Sequence, residues 1–327
     1  MILQDGKKIM NNKLIDYVSQ IICFCQDRIS GKGEDSFMYY IEDNATIIAA
    51  FDGCGGIGGR KYSEFDNKTG AYLASRAVSE ATYRWFVDQK KDIIQKKYYA
   101  DSLKRYIDAK LEEYVASKQK NTLLKGSMQK DFPTTLAMAL IKKQGKNLVA
   151  NILWSGDSRV YFLGEKGLLQ LSKDDVKNED AMSNIENSGV MYNVISASVP
   201  YKIREYVTKI PDKGFIFVSS DGCFDYLQSP MHFEHLILEA ILSAKCFQEF
   251  QDELKNEIMH LTGDDSTFVG VFIGFSSHQE IQSYYYTRYL ELKQNYIDPF
   301  NQDNKYQLWE TYKKKYESIM ETNIKNE

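Results

Sequence analysis

Four acidic sites in this chain lie at the ends of short apolar runs, the kind of run that forms a buried strand. Two of them follow a run and continue as Asp-Gly, and two precede one. They are Asp52-Gly53 after residues 45–51, Asp221-Gly222 after residues 215–220, Glu34-Asp35 before Phe37, and Asp264-Asp265 before Thr267. Strand ends that are distant in sequence can meet at one edge of a pair of sheets. A fold that buries these runs can therefore gather the carboxylates in one place.

Carboxylates gathered in this way repel each other unless a cation neutralises them. Ligands that are all oxygen, in a chain with only 4 histidines, favour hard cations such as Mg²⁺ or Mn²⁺. An Asp-Gly pair after a strand is more often a simple turn. Asp52 has stronger support, because the glycine-rich segment 53–59 follows it and allows backbone groups to approach a ligand closely. A flexible loop is the alternative reading of that segment, which completes neither of the common nucleotide-binding glycine motifs.

The rest of the chain alternates between strand patterns and helical patterns. Strand-like runs cover residues 14–25, 37–41, 45–51, 134–141, 148–154, 159–163, 202–210, 215–219 and 267–275. Apolar residues recur at helical spacing in 70–85, 93–116 and 232–261. The polar segment 173–188 has no such pattern, which predicts a surface loop. Runs of strands separated by pairs of helices predict an α+β fold, in which two sheets are layered with helices outside.

Residues 1–276 form one predicted domain, and residues 277–327 form a C-terminal extension of different character. The extension is charged and rich in tyrosine, and its residues at helical steps are Leu308, Trp309, Tyr312, Tyr316 and Ile319. One interpretation is an added helix that packs on the domain. The other is a helix that binds a protein partner or a second copy of the chain. The sequence leaves both open.

The charge balance argues against nucleic acid as a partner. Lys and Arg number 41 against 45 Asp and Glu, a formal net charge of -4, whereas nucleic-acid binders usually carry a clustered basic excess. The longest apolar runs are too short to cross a bilayer, and the N-terminus lacks the apolar segment of a signal peptide. The 5 cysteines include no Cys-x-x-Cys pair, which suggests free thiols. We therefore expect a cytoplasmic protein that binds neither membranes nor nucleic acid.

Six short motifs occur in one order along residues 20–275. They are Glu34-Asp35-Ser36-Phe37, Phe51-Asp52-Gly53-Cys54-Gly55-Gly56, Pro133-Thr134-Thr135, Gly156-Asp157-Ser158-Arg159, Ser220-Asp221-Gly222 and Asp264-Asp265-Ser266-Thr267. This series resembles the signature of the type 2C (PPM) metal-dependent protein serine/threonine phosphatases. The resemblance implies a four-layer α-β-β-α sandwich, in which two antiparallel sheets are flanked by helices and a metal cluster lies at one end. It also implies hydrolysis of phosphoserine and phosphothreonine in protein substrates.

The resemblance assigns six residues to the metal site: Glu34, Asp52, Gly53, Asp157, Asp221 and Asp264. Asp52 would bridge two Mn²⁺ or Mg²⁺ ions, and the backbone carbonyl of Gly53 would bind one of them. Asp221 and Asp264 would complete the cluster. Asp157 resembles the position that helps to hold a third metal in many family members, and its alternative role is to organise a turn.

Glu34 would hold metal-bound waters, with Asp35 as a supporting neighbour. In the implied mechanism two cations lower the pKa of a bridging water, and the resulting hydroxide attacks phosphorus in line. No covalent phosphoenzyme is needed, because the metals offset charge on the phosphoryl oxygens. The segment 173–188 lies where family members carry a flap beside the active site, so we expect it to tune substrate access.

Two residues depart from the family pattern. Arg28, the candidate phosphate-gripping residue, lies further upstream of the Glu-Asp pair than the usual arginine, and an ordinary surface position is its alternative. Cys54 stands where animal members have a histidine, and its thiol is a poorer proton donor at neutral pH. Two other functions stay open. One is a catalytically weak pseudophosphatase that acts as a binding or regulatory module, and the other is a metal phosphohydrolase of small phosphoesters.

Overall fold

The centre of the fold is a pair of five-stranded antiparallel sheets. The computed structural model describes residues 13–90, 92–93, 95–117, 130–177, 180–186 and 189–317. Within them the strands are β1 (Val18–Gln26), β2 (Ser36–Ile41), β3 (Ala45–Phe51), β4 (Lys61–Tyr62), β5 (Lys68–Thr69), β6 (Leu136–Gln144), β7 (Asn147–Ser155), β8 (Arg159–Gly164), β9 (Gly167–Gln170), β10 (Arg204–Ile210), β11 (Gly214–Ser219) and β12 (Ser266–Ile273). The first sheet has the order β1-β12-β11-β8-β9 and the second β10-β7-β6-β3-β2, while β4 and β5 form a separate two-stranded sheet.

Helices cover the outer faces of both sheets. The helices of the described residues are α1 (Gly55–Gly58), α2 (Gly70–Gln89), α3 (Ala100–Ser117), α4 (Ala181–Glu186), α5 (Pro230–Ser243), α6 (Phe247–Leu261), α7 (His278–Leu292) and α8 (Lys305–Tyr316). Short 3-10 turns occur at Leu14–Tyr17, Ser63–Phe65 and Asp221–Cys223, and a π turn at Lys293–Ile297. Helices α2 and α3 pack against the second sheet, and α5 to α8 pack against the first. The layers are therefore α-β-β-α, which confirms the predicted fold class.

Strand β3 shows how alternating side chains build two layers at once. Ile47 and Ala49 face the helices, where they join a cluster around Trp85, while Ile48 and Ala50 point into the space between the sheets. Every residue of the strand is buried, which explains why its sequence is continuously apolar instead of alternating. Packing on both faces fixes the position of the strand, and therefore of the acidic residue that follows it.

The helical region predicted over 232–261 consists of two helices, α5 and α6. Ala244 ends the first helix with an extended backbone, at φ -71° and ψ 145°. Helix α7 supplies partners for the free carbonyl groups, since His278 Nε2 lies 2.9 Å from Ala244 O and Gln282 Nε2 donates to the same oxygen at 2.9 Å. These partners are distant in sequence, so the local apolar spacing could not indicate the break.

Two predicted boundaries also differ from the structure. The apolar run 14–25 begins with a 3-10 turn before strand β1, and the helix predicted from residue 93 begins only at Ala100. Glu205 of β10 explains the second difference. Its Oε2 accepts hydrogen bonds from the backbone N–H groups of Tyr99 and Ala100 at 2.7 and 2.9 Å. A carboxylate from another element therefore sets the N-terminus of α3.

The segment 173–188, whose sequence predicts a surface loop, contains helix α4. Asp180 caps this helix, because its side chain accepts a hydrogen bond from the backbone N–H of Ser183 at 2.9 Å. Met182 is buried in the cluster on the outer face of the first sheet. The helix has only 6 residues, half of them polar, so tertiary packing and not its own spacing accounts for it.

The aromatic stripe of the C-terminal extension is buried. Trp309, Tyr312 and Tyr316 of α8 join the hydrophobic cluster on the outer face of the first sheet, together with Tyr285 of α7. Ile319 lies outside the described residues. The extension packs on its own domain, and the domain boundary after residue 276 stays a prediction. Of the helices that the structure describes, none is both long enough and apolar enough to cross a membrane.

Candidate metal centre

A cleft of about 640 Å³ opens at the edge where strand ends of the two sheets meet. We refer to it as the acidic cleft, because six carboxylate residues line it: Glu34, Asp35, Asp52, Asp221, Asp264 and Asp265. The other lining residues are Gly53, Cys54, Gly55, Gly56, Ile57, Lys130, Val190, Met191 and Val199. The four acidic sites identified in the sequence therefore share one cleft.

Pairing between β2 and β3 places two of these sites side by side. Ser36 lies opposite Phe51 in the antiparallel register, so Asp35 and Asp52 occupy neighbouring strand ends. Thr135 holds Asp52 through two hydrogen bonds. Its Oγ1 accepts from the backbone N–H of Asp52 at 3.0 Å, and its own N–H donates to the carbonyl oxygen of Asp52 at 2.8 Å. The backbone of Asp52 is therefore fixed where its carboxylate lines the cleft.

Strands β11 and β12 bring the other two sites together in the first sheet. The backbone N–H of Ser220 donates to the carbonyl oxygen of Thr267 at 3.0 Å, and Ser220 Oγ accepts from the N–H of Thr267 at 2.9 Å. Asp221 follows Ser220 and begins a 3-10 turn. Asp264 and Asp265 lie just before β12. The serine–threonine pair thus holds both acidic strand ends at the same edge.

The glycines after the two aspartates permit close approach of the backbone. A β-carbon on Gly53 would lie 2.6 Å from the carbonyl oxygen of Glu34 and 2.8 Å from that of Ala71. A β-carbon on Gly222 would lie 1.9 Å from the carbonyl oxygen of Asp265. Any side chain at either position would push the acidic strand ends apart. The glycine of each Asp-Gly pair therefore allows the acidic strand ends to come close together. A simple turn would not require this close approach.

Glu34 is held through both its backbone and its side chain. Its N–H donates to Asp265 Oδ2 at 2.7 Å, and its carbonyl oxygen accepts from Arg76 Nη1 at 2.8 Å. The hydroxyl of Thr69, which is also the N-cap of α2, donates to Glu34 Oε1. One carboxylate oxygen is thereby fixed, and the other can serve a ligand in the cleft.

The carboxylates of the cleft raise one another's pKa. Burial raises the pKa of Asp52 well above its ordinary value, and the charge of Asp221 adds to the shift. Burial likewise raises the pKa of Asp35 to about 7, against two hydrogen bonds that lower it. The pKa of Asp221 is raised by burial and by the charge of Asp264. Such a group is electrostatically unfavourable unless a counter-charge joins it.

Asp157 does not line the acidic cleft, although its charge contributes to the raised pKa of Asp52. Burial raises the pKa of Asp157 well above its ordinary value, and the charges of Asp221 and Asp174 add to the shift. Asp225, one turn after Asp221, was not singled out in the sequence, and burial together with Asp221 raises its pKa to about 8. The spacing of Asp221 and Asp225 is the sequence signal that could have identified it. The charge of Asp221, which lines the cleft, therefore acts on both Asp157 and Asp225.

The donor set fits Mg²⁺ or Mn²⁺, because every candidate ligand is a carboxylate or carbonyl oxygen. Within the described ranges, no three Asp, Glu, His or Cys side chains stand close enough together to enclose one ion. Mg²⁺ in proteins usually keeps several waters and takes one or two carboxylates. Asp35 Oδ2 and Asp157 Oδ1 are buried without a hydrogen-bond partner in the described structure. A cation or its waters would satisfy both atoms.

Arg28 and Asp157 are the two candidate site residues that do not line the acidic cleft. The side chain of Arg28 is exposed, and its backbone N–H donates to Asp265 Oδ1 at 2.7 Å. Cys54 does line the cleft. Burial, followed by the charge of Asp52, raises the pKa of the Cys54 thiol well above its ordinary value. A thiol that stays protonated is a poor nucleophile.

A buried ion pair next to the site was not predicted. Arg159 Nε and Nη2 donate to Asp174 at 2.9 and 2.7 Å, and both side chains are almost fully buried. The guanidinium carbon of Arg159 lies 4.0 Å from the ring centroid of Phe224, at the end of the turn that Asp221 begins. The sequence signal for Arg159 is its place in the fourth motif, whereas Asp174 belongs to the segment without a pattern.

Comparison by sequence identifies the family. The profile described as protein phosphatase 2C matches residues 24–257. That span contains Glu34, Asp52, Asp157 and Asp221 but ends before Asp264. No curated protein gives a significant sequence match.

Solved structures of bacterial phosphatases share the fold. The serine/threonine phosphatase PstP/Ppp of Mycobacterium tuberculosis aligns with a TM-score of 0.53 and 16% identity, over 79% of this chain and 100% of that one. The catalytic domain of PstP in complex with 2 manganese ions gives a TM-score of 0.51 and 17% identity, over 79% and 99%. Stp1 of Staphylococcus aureus gives 0.51 and 16%, over 83% and 99%. With a family profile that covers most of its length and a fold shared with these enzymes, the chain belongs to the protein phosphatase 2C family.

Proposed function

We propose that this protein serine/threonine phosphatase holds two Mn²⁺ or Mg²⁺ ions in the acidic cleft and hydrolyses phosphoserine and phosphothreonine in proteins there. The main support for the proposal is that six carboxylate residues from four strand ends meet in this cleft. Membership of the protein phosphatase 2C family supports the reaction. The PstP structure with 2 manganese ions supports the choice of metal.

The acidic strand ends would hold the ions. Asp52, Asp221 and the backbone carbonyl of Gly53 would be ligands, with Asp264 at the exposed side of the cleft. Asp264 lies beyond the family match, so its role rests on its place in the cleft. Asp157 would help to bind a third ion through its unpaired Oδ1. When bound, such ions supply an activated water near neutral pH and offset charge on the phosphoryl oxygens.

Glu34 would orient water in the cleft. Thr69 fixes one oxygen of its carboxylate, and Asp265 fixes its backbone. A β-carbon on Gly55 would lie 2.1 Å from the other oxygen, Oε2, so the glycine-rich turn leaves the space that this oxygen needs. Burial raises the pKa of Glu34, and a raised pKa makes a carboxylate a stronger base.

The two other functions have weaker support. A pseudophosphatase would be expected to lose metal-binding carboxylates, and Asp52, Asp221 and Asp264 are all gathered in the cleft. A phosphohydrolase of small phosphoesters would be expected to enclose its substrate. Val190, which lines this cleft, is 65% exposed. An open cleft of this kind can admit a segment of a protein chain.

The test is release of phosphate from a phosphothreonine peptide with Mn²⁺, with Mg²⁺ and with chelator. We expect metal-dependent turnover that falls by about 100-fold or more in Asp52→Asn and Asp221→Asn. Asp43→Asn is the matched control, because it removes a carboxylate that is 59% exposed and pairs with Lys13. A folded wild-type protein that is inactive with every metal would favour the binding module. Faster turnover of nucleotides or sugar phosphates than of phosphopeptides would favour the small-molecule enzyme.

We also propose a cytoplasmic location and a phosphorylated protein in a signalling reaction as the substrate. The cysteines of the described residues are free thiols, as expected in a reducing compartment. A protein partner for the C-terminal extension stays a proposal, since Trp309 and its neighbours are already packed against the domain. Cell fractionation would test the location, and co-purification with and without residues 277–327 would test the partner.

A further inference from the structure

The acidic cleft contains one basic residue among the described residues that line it, Lys130. We propose that Lys130 binds the phosphoryl group of the substrate, an inference that rests on the function proposed above. Six carboxylate residues line the same cleft. The lining therefore repels a phosphate group, and the positive charges that can offset this repulsion are bound cations and this lysine.

The backbone of Lys130 is anchored to the glycine-rich wall of the cleft. Its N–H donates to the carbonyl oxygen of Ile57 in α1 at 3.0 Å. Asp131, the next residue, accepts from the hydroxyl of Tyr62 at 3.0 Å, and its N–H donates to Ser198 Oγ at 2.9 Å. The backbone of Lys130 is therefore fixed, which limits the region that its ammonium group can reach.

The ammonium group of Lys130 is available to a ligand. It makes no hydrogen bond or ion pair with any residue in the described parts of the chain, although carboxylates line the same cleft. Its charge nevertheless acts on the site. Burial and the charge of Asp52 raise the pKa of the Cys54 thiol, and the charge of Lys130 opposes that rise. The backbone hydrogen bond to Ile57 places the lysine close to the turn that follows Asp52.

The two nearby arginines are poorly placed for the same role. Arg28 is exposed and does not line the cleft. Arg76 is half-buried, and its guanidinium donates to the carbonyl oxygens of Glu34 and Gly33 at 2.8 and 3.3 Å. It also stacks on the ring of Tyr72, 3.8 Å from the centroid. Arg76 therefore positions the Glu34 loop, which leaves Lys130 as the cation for phosphate.

The chemistry of lysine predicts the kind of effect. A phosphate monoester carries close to two negative charges near neutral pH. Lysine acts on phosphate as a point charge with rotatable donors, whereas arginine forms a rigid bidentate pair. A point charge attracts the phosphoryl group without fixing its orientation. We therefore expect Lys130 to contribute to binding more than to the chemical step, so KM should change more than kcat.

Three variants test this role, with phosphothreonine peptide as substrate. Lys130→Met and Lys130→Gln remove the charge, and Lys130→Arg keeps it. Removal should raise KM and the inhibition constant for inorganic phosphate by about 10- to 100-fold, and Lys130→Arg should recover most of the loss. Lys166→Met, at an exposed turn between β8 and β9, is the control for loss of one lysine. Arg28→Met tests the rival directly.

A second readout does not depend on turnover. With Mn²⁺ present, inorganic phosphate should raise the melting temperature of the wild type and of Lys130→Arg but not of Lys130→Met or Lys130→Gln. An unchanged phosphate response in both uncharged variants would overturn the proposal, and so would a loss confined to Arg28→Met. If the wild type is inactive but its phosphate response depends on Lys130, the phosphate site stands and the proposed phosphatase activity fails.

Discussion

The indole Nε1 of Trp309 donates a hydrogen bond to Asp180 Oδ2 at 3.0 Å. Trp309 lies in α8 of the C-terminal extension, and Asp180 caps α4 in the segment that leads to the cleft. Lys313 Nζ donates to the same oxygen at 2.7 Å. The extension is therefore joined both to the hydrophobic layer of the domain and to a segment beside the site.

Replacement of Trp309 by alanine should lower the free energy of unfolding by about 3–5 kcal/mol, because a large buried side chain is lost from the core. Trp309 is 1% exposed. Urea denaturation measures the change. Tyr286→Ala is the control, since that side chain is 55% exposed in the neighbouring helix α7, and it should change stability by less than about 0.5 kcal/mol. Equal midpoints for Trp309→Ala and wild type would show that the extension does not support the fold.

Loss of the buried guanidinium group of Arg288 should strongly destabilise the fold. Arg288 Nε and Nη2 donate to Glu234 at 2.7 and 2.8 Å, and Tyr312 donates to the same carboxylate at 2.6 Å. Arg288→Met leaves a buried carboxylate without its cation, which costs about 3–5 kcal/mol. The exposed pair Lys13–Asp43 is the comparison, and its loss should cost less than about 1 kcal/mol. Urea melts that give the same small loss for both pairs would contradict this ranking.

Metal binding should reverse the stability order of wild type and Asp52→Asn. In chelator the variant should be the more stable protein, because burial and the charge of Asp221 disfavour an ionised Asp52 in the folded state. With Mn²⁺ at about 100 times its Kd, the wild type should gain about 2.7 kcal/mol, and the variant much less. Thermal melts with and without Mn²⁺ measure both effects. If the melting temperature of the wild type does not change with Mn²⁺, the cleft binds no such ion.

Lys142 should make stability depend on pH in the alkaline range. Burial lowers the pKa of Lys142 to about 8, against the charge of Glu205, which raises it. Between that pKa and the ordinary value of about 10.4, the unfolded chain binds more protons than the folded one, so this contribution to stability increases with pH. The wild type should therefore gain stability relative to Lys142→Met from pH 8 to pH 10. Urea midpoints of the two proteins that shift in parallel would show that Lys142 does not titrate in this way.

The main parts of the cleft could be predicted because each is a local feature. Asp52 and Asp221 follow apolar runs long enough to be buried strands, and a glycine comes directly after each. The position of Arg28, in contrast, depends on a contact with a distant residue. Its loop is closed by a hydrogen bond from the N–H of Gly31 to Asp27 Oδ2 at 2.8 Å and held by Asp265, which is distant in sequence. Spacing along the chain left both a phosphate-binding and an exposed position open for this side chain, and it could not decide between them.

The sequence by itself determined which segments become strands and which acidic residues lie at their ends, because apolar periodicity is a local property. Only the tertiary structure decided which residues meet. It paired Arg159 with Asp174 inside the fold, divided the helical region after Ala244, and placed Lys130 in the wall of an acidic cleft. Each of these outcomes depends on contacts between distant segments and on the removal of charged or polar groups from water, and no local pattern encodes either.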